Sequence, residues 1–259
     1  MPLKYNKVLI IGATSGIGLA YAEKVIEEGK PVVVVGRRKE NLDEFVKKHG
    51  QDKADSFVFD ISKLAEIPDF VRSVTKKHPD VDAVMLNSGM QRGFDFSNPE
   101  TVDLSLFELE LQTNYTAYIH LTKAFLPHLQ KQENETALIY TSSGLALVPL
   151  LRVIGYSATK AALHHFVLVL REQMKRGPGN VKVVEIFPPA VQTELHDEKH
   201  QPDLKGGSSF GMPLKDFTEQ SWAKFVNGDE QVPIGFVEGA FQAFENKRQE
   251  VFQQLVSRM

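Results

Sequence analysis

A short β-branched run, Val8 to Ile11, passes directly into Gly12-Ala13-Thr14-Ser15-Gly16-Ile17-Gly18, and an amphipathic helical pattern follows from about Leu19 to Glu28. The order strand, glycine loop, helix leaves few options, because a strand that returns parallel to its neighbour needs a crossover, usually a helix. The next run, Val32 to Val35, is apolar at every position, as a strand buried between two helix layers requires. Strand signals recur at Ser56 to Phe59, Ala83 to Leu86, Ala137 to Tyr140 and Val181 to Phe187. Helix signals fill the intervals, at about Lys39 to Lys48, Lys63 to Lys77, Pro99 to Gln132 and Tyr156 to Lys175.

This alternation predicts an α/β fold: a Rossmann-type, doubly wound parallel sheet of six or seven strands, with helices on both faces in three layers. A seventh strand has only the short segment Gln231 to Phe236 to draw on, and is left open. With 259 residues, 42% of them hydrophobic, the chain suits one domain over 1–259. Within it, residues 190–213 carry Pro202, Gly206, Gly207, Ser208, Ser209, Gly211 and Pro213, and read as a mobile substrate loop after the sixth strand. Residues 214–259 form an atypical helical C-terminal segment.

A net charge of −3 gives no global pull toward nucleic acid or anionic membrane. The chain has no cysteine, which excludes disulfides, a thiol nucleophile and cysteine-ligated metals. No stretch is read as approaching the roughly 20 apolar residues needed to span a bilayer, and Met1 to Lys7 lacks a signal-peptide pattern. A cytoplasmic location is expected.

Gly12, Gly16 and Gly18 allow a tight turn, close approach of a pyrophosphate and close packing of the next helix, with Thr14, Ser15 and Ile17 between them. The helix N-terminus then faces the phosphates. A carboxylate at the end of the second strand would bind ribose hydroxyls and repel a 2′-phosphate, but the strand ends in Gly36. Arg37 and Arg38 follow, with Arg37 the expected phosphate clamp, so NADP(H) is preferred over NAD(H). Asp60 and Ile61 are expected at the adenine, and Asn87, Ser88 and Gly89 at the ribose.

Tyr156 and Lys160 stand four residues apart, one helical turn, which places an ammonium beside a phenol. Such a charge favours the phenolate and would lower the tyrosine pKa. Ser143 lies upstream at the end of an apolar strand.

These motifs, in this order, resemble the short-chain dehydrogenase/reductase family over roughly Lys7 to Leu195. Gly12 through Gly18 matches the glycine motif, Asn87-Ser88-Gly89 the Asn-Asn-Ala-Gly motif, and Asn114, Ser143, Tyr156 and Lys160 the catalytic tetrad. Pro188, Val191 and Thr193 fall in a segment similar to the Pro-Gly motif and the nicotinamide-contacting threonine, although Pro189 replaces the glycine and Ser88 the second asparagine. The resemblance implies that Tyr156 is the acid or base, Lys160 lowers its pKa and holds the nicotinamide ribose, Ser143 orients the carbonyl, and Asn114 holds a relay water. It implies hydride transfer between NADP(H) and a carbonyl or secondary alcohol, with ketone or aldehyde reduction favoured. Epimerisation, dehydration or imine reduction on the same scaffold, and a non-catalytic NADP(H) sensor, are the rival readings.

The family's common interface predicts a homodimer through the helices around Asn114 and Tyr156, and the stripe Leu163, Phe166, Val167 and Leu170 fits that or an ordinary core equally well. The doubtful seventh strand argues against the family's tetramer. Gln91, Leu145, Pro149 and Leu150 are candidate substrate-pocket residues, with Arg92, Phe94, Leu147 and Arg152 nearby; Arg152 either meets a substrate carboxylate or faces solvent, and solvent is favoured. No metal site is expected, since His196 and His200 sit in a polar loop and His164 and His165 point to different helix faces.

Overall fold

All strand pairings are parallel, so each connection has to cross a face of the sheet. The structure is a computed structural model and describes residues 2–258. The strands are β1 Val8–Ile11, β2 Val32–Gly36, β3 Ala54–Val58, β4 Ala83–Leu86, β5 Thr136–Thr141, β6 Val181–Phe187 and β7 Gln231–Pro233. They lie in the order β3-β2-β1-β4-β5-β6-β7. The order reverses between β1 and β4, where successive loops leave toward opposite faces and open a crevice at the carboxyl ends of the strands.

The helices are α1 Gly16–Glu27, α2 Lys39–His49, α3 Ile67–Lys77, α4 Leu104–Leu111, α5 Ala117–Leu129, α6 Ile154–Arg176, α7 Leu214–Asn227, α8 Phe236–Ala240 and α9 Asn246–Val256. Side chains alternate through the sheet: Val8 and Ile10 of β1 pack with α1, α2 and α7, while Leu9 and Ile11 pack with α3, α5 and α6. These two cores, one on each face, give the three expected layers.

Two points left open by the sequence are decided here, and one expectation changes. The seventh strand exists: β7 is three residues long, and its Val232 is fully buried and pairs with Ile186. Pro233 ends it, because proline has no amide hydrogen for the ladder. The stripe Leu163, Val167 and Leu170 is buried in the core against the sheet, so it is not an open subunit face. Finally, the 26-residue helical stretch Leu151–Arg176 is long and apolar enough to cross a bilayer, contrary to expectation, but 61% of its apolar window is buried inside the protein, as befits a core helix.

The long helical region after β4 breaks into a 3₁₀ turn at Pro99–Thr101, α4, a π-helical turn at Gln112–Thr116, and α5. Asp103 starts α4 by accepting hydrogen bonds from the amides of Ser105 (2.9 Å) and Leu106 (3.2 Å). Residues 190–213 contain 3₁₀ turns at Glu194–His196 and Gly207–Ser209, tied together by a bridge between Val191 and Met212. Past β7 the chain forms α8, a second π turn at Phe241–Glu245, and α9.

Candidate active site

The glycine loop is shaped by its own close contacts. Gly12 has φ +91°, and a Cβ there would lie 2.5 Å from the Ser88 amide nitrogen; a Cβ on Gly18 would run into the Gly12 carbonyl. Asn87 reinforces the turn, its Nδ2 donating to the Gly12 carbonyl at 3.0 Å. Gly16, at φ +56°, opens α1. Ser15 makes no side-chain cap there and the first turn carries no acid, so the first amides of α1 face the crevice ready for an anion. This cradle fits a dinucleotide pyrophosphate.

Next to it, β2 ends at Gly36, where a Cβ would collide with the Thr14 methyl. A carboxylate at this position is therefore sterically excluded as the loop stands. Arg38 folds back over the loop: its Nη2 donates to Thr14 Oγ1 (2.8 Å) and Ser15 Oγ (2.6 Å), its Nε to Thr14 Oγ1 (3.0 Å), and its Nη1 pairs with Glu194 (2.7 Å). Arg37 reaches out instead, with its side chain 75% exposed and its nearest carboxylate, Asp60, at 3.9 Å. The Asp60 Oδ1 is occupied by the Ser62 amide and hydroxyl, while Ile61 is buried.

Ser143 follows β5, and its Oγ accepts from the Leu145 amide at 3.1 Å. Tyr156 and Lys160 occupy successive turns of α6 on its buried side. The Lys160 Nζ donates to the Thr141 carbonyl (2.8 Å) and stands 5.5 Å from the Tyr156 ring centre and 5.7 Å from that of Tyr118. Burial lowers the Lys160 pKa to about 8, opposed by the Glu185 and Glu110 carboxylates. The phenol of Tyr156 does not behave as expected from Lys160 alone: burial pushes its pKa well up, the Glu110 carboxylate adds to the rise, and the Ser143 hydroxyl opposes it. The reason is that the ammonium is committed to a backbone carbonyl and to ring faces, while the hydroxyl loses water.

Asn114 lies at the centre of the π turn, a device that turns one side chain inward out of the regular helical repeat. It is fully buried, its Oδ1 accepting from the Met90 amide (2.9 Å) and its Nδ2 donating to the Met90 carbonyl (2.8 Å) and Thr159 Oγ1 (3.3 Å). The carboxamide thus clamps the segment after β4 against α6. One turn earlier, Glu110 holds the same segment further along, its Oε1 accepting from the Arg92 amide at 2.9 Å. Its Oε2 is buried without a partner, in the space where Gly155 lacks a side chain. Desolvation pushes this carboxyl up to about 7, against lowering by the Arg92 amide bond and the Arg92 and Lys160 charges.

Most of these groups wall one cleft of about 1050 Å³, with Glu110 outside its lining. It brings together Gly12, Thr14, Ser15, Gly16, Ile17, Arg37, Arg38, Asp60, Ile61, Asn87, Ser88 and Gly89 at one end, with Ser143, Tyr156, Lys160, Pro188, Val191 and Thr193 beyond them. Gln91, Leu145, Pro149 and Leu150 also line it; Gly18 and Asn114 stand behind its wall. Phe94 instead packs on Phe107 (5.3 Å between centroids), and Leu147 packs into a separate apolar cluster with Phe187, Val237 and Phe241. Arg152 does not face solvent freely: it grips Asp203 through two hydrogen bonds of 2.8 Å. The sequence reading missed Glu110 and Phe236. Phe236 and Val237 of α8 pack over Gly144, where a Cβ would lie 2.5 Å from the Val237 side chain.

Behind Lys160 lies a buried charge cluster. His164 sits between Glu185 (Nδ1, 2.8 Å) and Glu245 (Nε2, 3.0 Å), all three inaccessible to water. Although burial alone would lower its pKa, the two carboxylates raise it to about 9. Glu245 comes from the second π turn, so the cluster ties the C-terminal segment to α6 and β6.

The family model for short chain dehydrogenases matches residues 6–203. The chain belongs to the short-chain dehydrogenase/reductase family. This oxidoreductase family uses a nicotinamide cofactor, which agrees with the cradle described above. Among relatives of this short-chain dehydrogenase/reductase, an uncharacterized oxidoreductase DltE of Bacillus subtilis (strain 168) is 31% identical over 98% of both chains. The benzil reductase ((S)-benzoin forming) IRC24 of Saccharomyces cerevisiae is 29% identical over 74% of this chain and 73% of its own. A short chain dehydrogenase of Burkholderia cenocepacia J2315, solved in complex with NADP, has the same fold at 22% identity, with a TM-score of 0.78 over 98% of this chain and 99% of its own. Another from Burkholderia phymatum, in complex with NAD, superposes with a TM-score of 0.82 at 18% identity, over 98% of this chain and 96% of that one.

Proposed function

We propose that this short-chain dehydrogenase/reductase is an NADPH-dependent carbonyl reductase. The observation that carries the reading is the convergence of Ser143, Tyr156 and Lys160 on one wall of the cleft that begins at the glycine loop. Since neighbours of this fold hold either cofactor, the preference for NADPH rests on Gly36 and Arg37: the first has no room for a ribose-binding acid, and the second offers an unengaged guanidinium fork.

Bound nicotinamide supplies the hydride. The protein's part is to hold the carbonyl and to move one proton. Tyr156 donates its phenolic proton to the carbonyl oxygen, and its raised pKa keeps that proton in place until the oxygen becomes basic. The Ser143 hydroxyl donates a second hydrogen bond to the same oxygen as charge develops there. Lys160 lies close enough to steady the phenolate left behind, and Asn114 fixes the Met90 segment that borders the cleft. Leu104 and Leu111, exposed and seven residues apart on one face of α4, support a homodimer through this face, which light scattering on the purified protein tests.

Loss of NADPH absorbance against a panel of ketones and aldehydes tests the catalytic reading, with Tyr156→Phe alongside. The variant is expected to bind NADPH normally and to lose roughly 10²- to 10⁴-fold in turnover. Unchanged turnover would remove Tyr156 as the acid.

A further inference from the structure

The mouth of the cleft is apolar where water reaches it. Phe236 is 63% exposed, Phe210 60%, Leu150 50%, Val148 43% and Leu109 40%, and all five line the same opening. Single exposed apolar side chains are ordinary, but a ring of them around one opening marks a surface that a ligand covers.

Three arginines at this opening, Arg152, Arg38 and Arg92, already have partners within the protein. Arg152 presents its fork to Asp203, Nε to Oδ2 and Nη2 to Oδ1, both at 2.8 Å, and spends Nη1 on Gln201 Oε1 at 2.6 Å. Gln201 is fully buried and locked from its other side, its Nε2 donating to Gln91 Oε1 (2.9 Å) and to the Leu195 carbonyl (2.6 Å). Arg38 is paired with Glu194, and Arg92 donates to the Gln91 carbonyl (2.7 Å) with its charge facing Glu110. His196 is held toward its neutral form by burial and by the Arg152 charge. Lys199 stands at the exposed rim, where salt screens it.

We propose that Asp203 takes, on Arg152, the place that a substrate carboxylate would need, so that the site selects neutral carbonyl compounds with bulky apolar groups and rejects keto acids. This rests on the carbonyl-reductase reading above. The bidentate geometry is the one a bound carboxylate would adopt, and here the protein supplies the carboxylate itself from the substrate loop. A keto acid entering the cleft must either displace Asp203 or leave its own charge unpaired beside apolar walls, and both cost affinity.

The test compares methyl benzoylformate with benzoylformate, which share a skeleton and differ in charge. For the wild-type protein with NADPH, kcat/KM for the ester is expected to exceed that for the acid by at least about tenfold. Asp203→Asn should raise the acid-to-ester ratio by about tenfold, and adding Arg152→Met should remove that rise. Comparing ratios between variants cancels the greater intrinsic reactivity of the ester carbonyl. A wild-type preference for the acid, or a ratio that Asp203→Asn leaves unmoved, overturns the proposal. Calorimetric titration of both compounds into the NADP⁺-loaded wild-type protein reads the selection without turnover. Tighter binding of the ester with neither compound reduced keeps the charge selection and refutes the reductase reading, whereas equal binding overturns the selection.

Discussion

Replacing Glu110 by glutamine isolates the cost of burying one carboxyl near Tyr156 and Lys160. The carboxyl is held near 7 in the fold against an ordinary 4.5, because burial disfavours its charge more than Arg92 and Lys160 favour it. A raised folded value means that the native state binds the extra proton, so this stabilisation is complete below about pH 4.5 and is lost as the pH rises through about 7. At 1.36 kcal/mol per pH unit the whole effect is about 3 kcal/mol, of which about 2 kcal/mol falls between pH 5 and pH 8. Glutamine keeps an oxygen for the Arg92 amide but cannot ionise. The stability of the wild type relative to Glu110→Gln should therefore decline by about 2 kcal/mol over that interval, read from urea unfolding of both proteins at each pH. Parallel profiles would refute the reasoning and mean that water or a local shift solvates the Oε2 that is buried without a partner.

Arg37→Ala should weaken NADPH binding by tenfold or more and NADH binding by less than about twofold, in fluorescence titrations of each cofactor; equal losses would show that Arg37 does not read the phosphate. His164→Ala leaves Glu185 buried without its partner, while Glu245 keeps Arg248 and Gln249, and should cost about 3–5 kcal/mol in denaturant unfolding, a loss below about 1 kcal/mol indicating that Glu185 simply takes up a proton. Because the His164 pKa is raised from 6.5 to about 9, its stabilisation is present below pH 6.5 and fades as the pH passes 9, a decline that His164→Ala should lack. Gly144→Ala drives a methyl toward the Val237 side chain and should destabilise by about 1–3 kcal/mol, with unchanged stability showing that α8 yields freely.

The features legible in the sequence are those whose chemistry is local. The glycine loop is contiguous, and Tyr156 and Lys160 are one helical turn apart, so spacing alone places each set. Periodicity marks the buried stripe Leu163, Val167 and Leu170 but cannot say whether a sheet or a second subunit covers it, and the sheet does. Glu110 was hidden because its burial depends on Gly155, which arrives from α6, 45 positions along the chain. The grip of Arg152 on Asp203 spans 51 positions, and Phe236 reaches the cleft only because the sheet brings the end of β7 beside the loop after β5. That Lys160 stands beside Tyr156 was legible, but the direction of the phenol's shift was not, because desolvation, which spacing does not report, sets it. β7 has three residues, too few for a period to register.

The meeting of Thr14, Gly36 and Arg38 bears on how such a protein could change over generations. The Thr14 methyl occupies the space in which a side chain at position 36 would begin, and the Thr14 hydroxyl is one of the acceptors, with Ser15 Oγ and Glu194, that keep Arg38 folded over the loop. Enlarging residue 36 first strains the loop; trimming Thr14 to alanine first removes two of the hydrogen bonds that hold Arg38 and leaves it on Ser15 and on Glu194 from the loop after β6. Either order passes through an inferior intermediate, so a lineage under selection for a different dinucleotide would need two linked replacements where an open position would need only one.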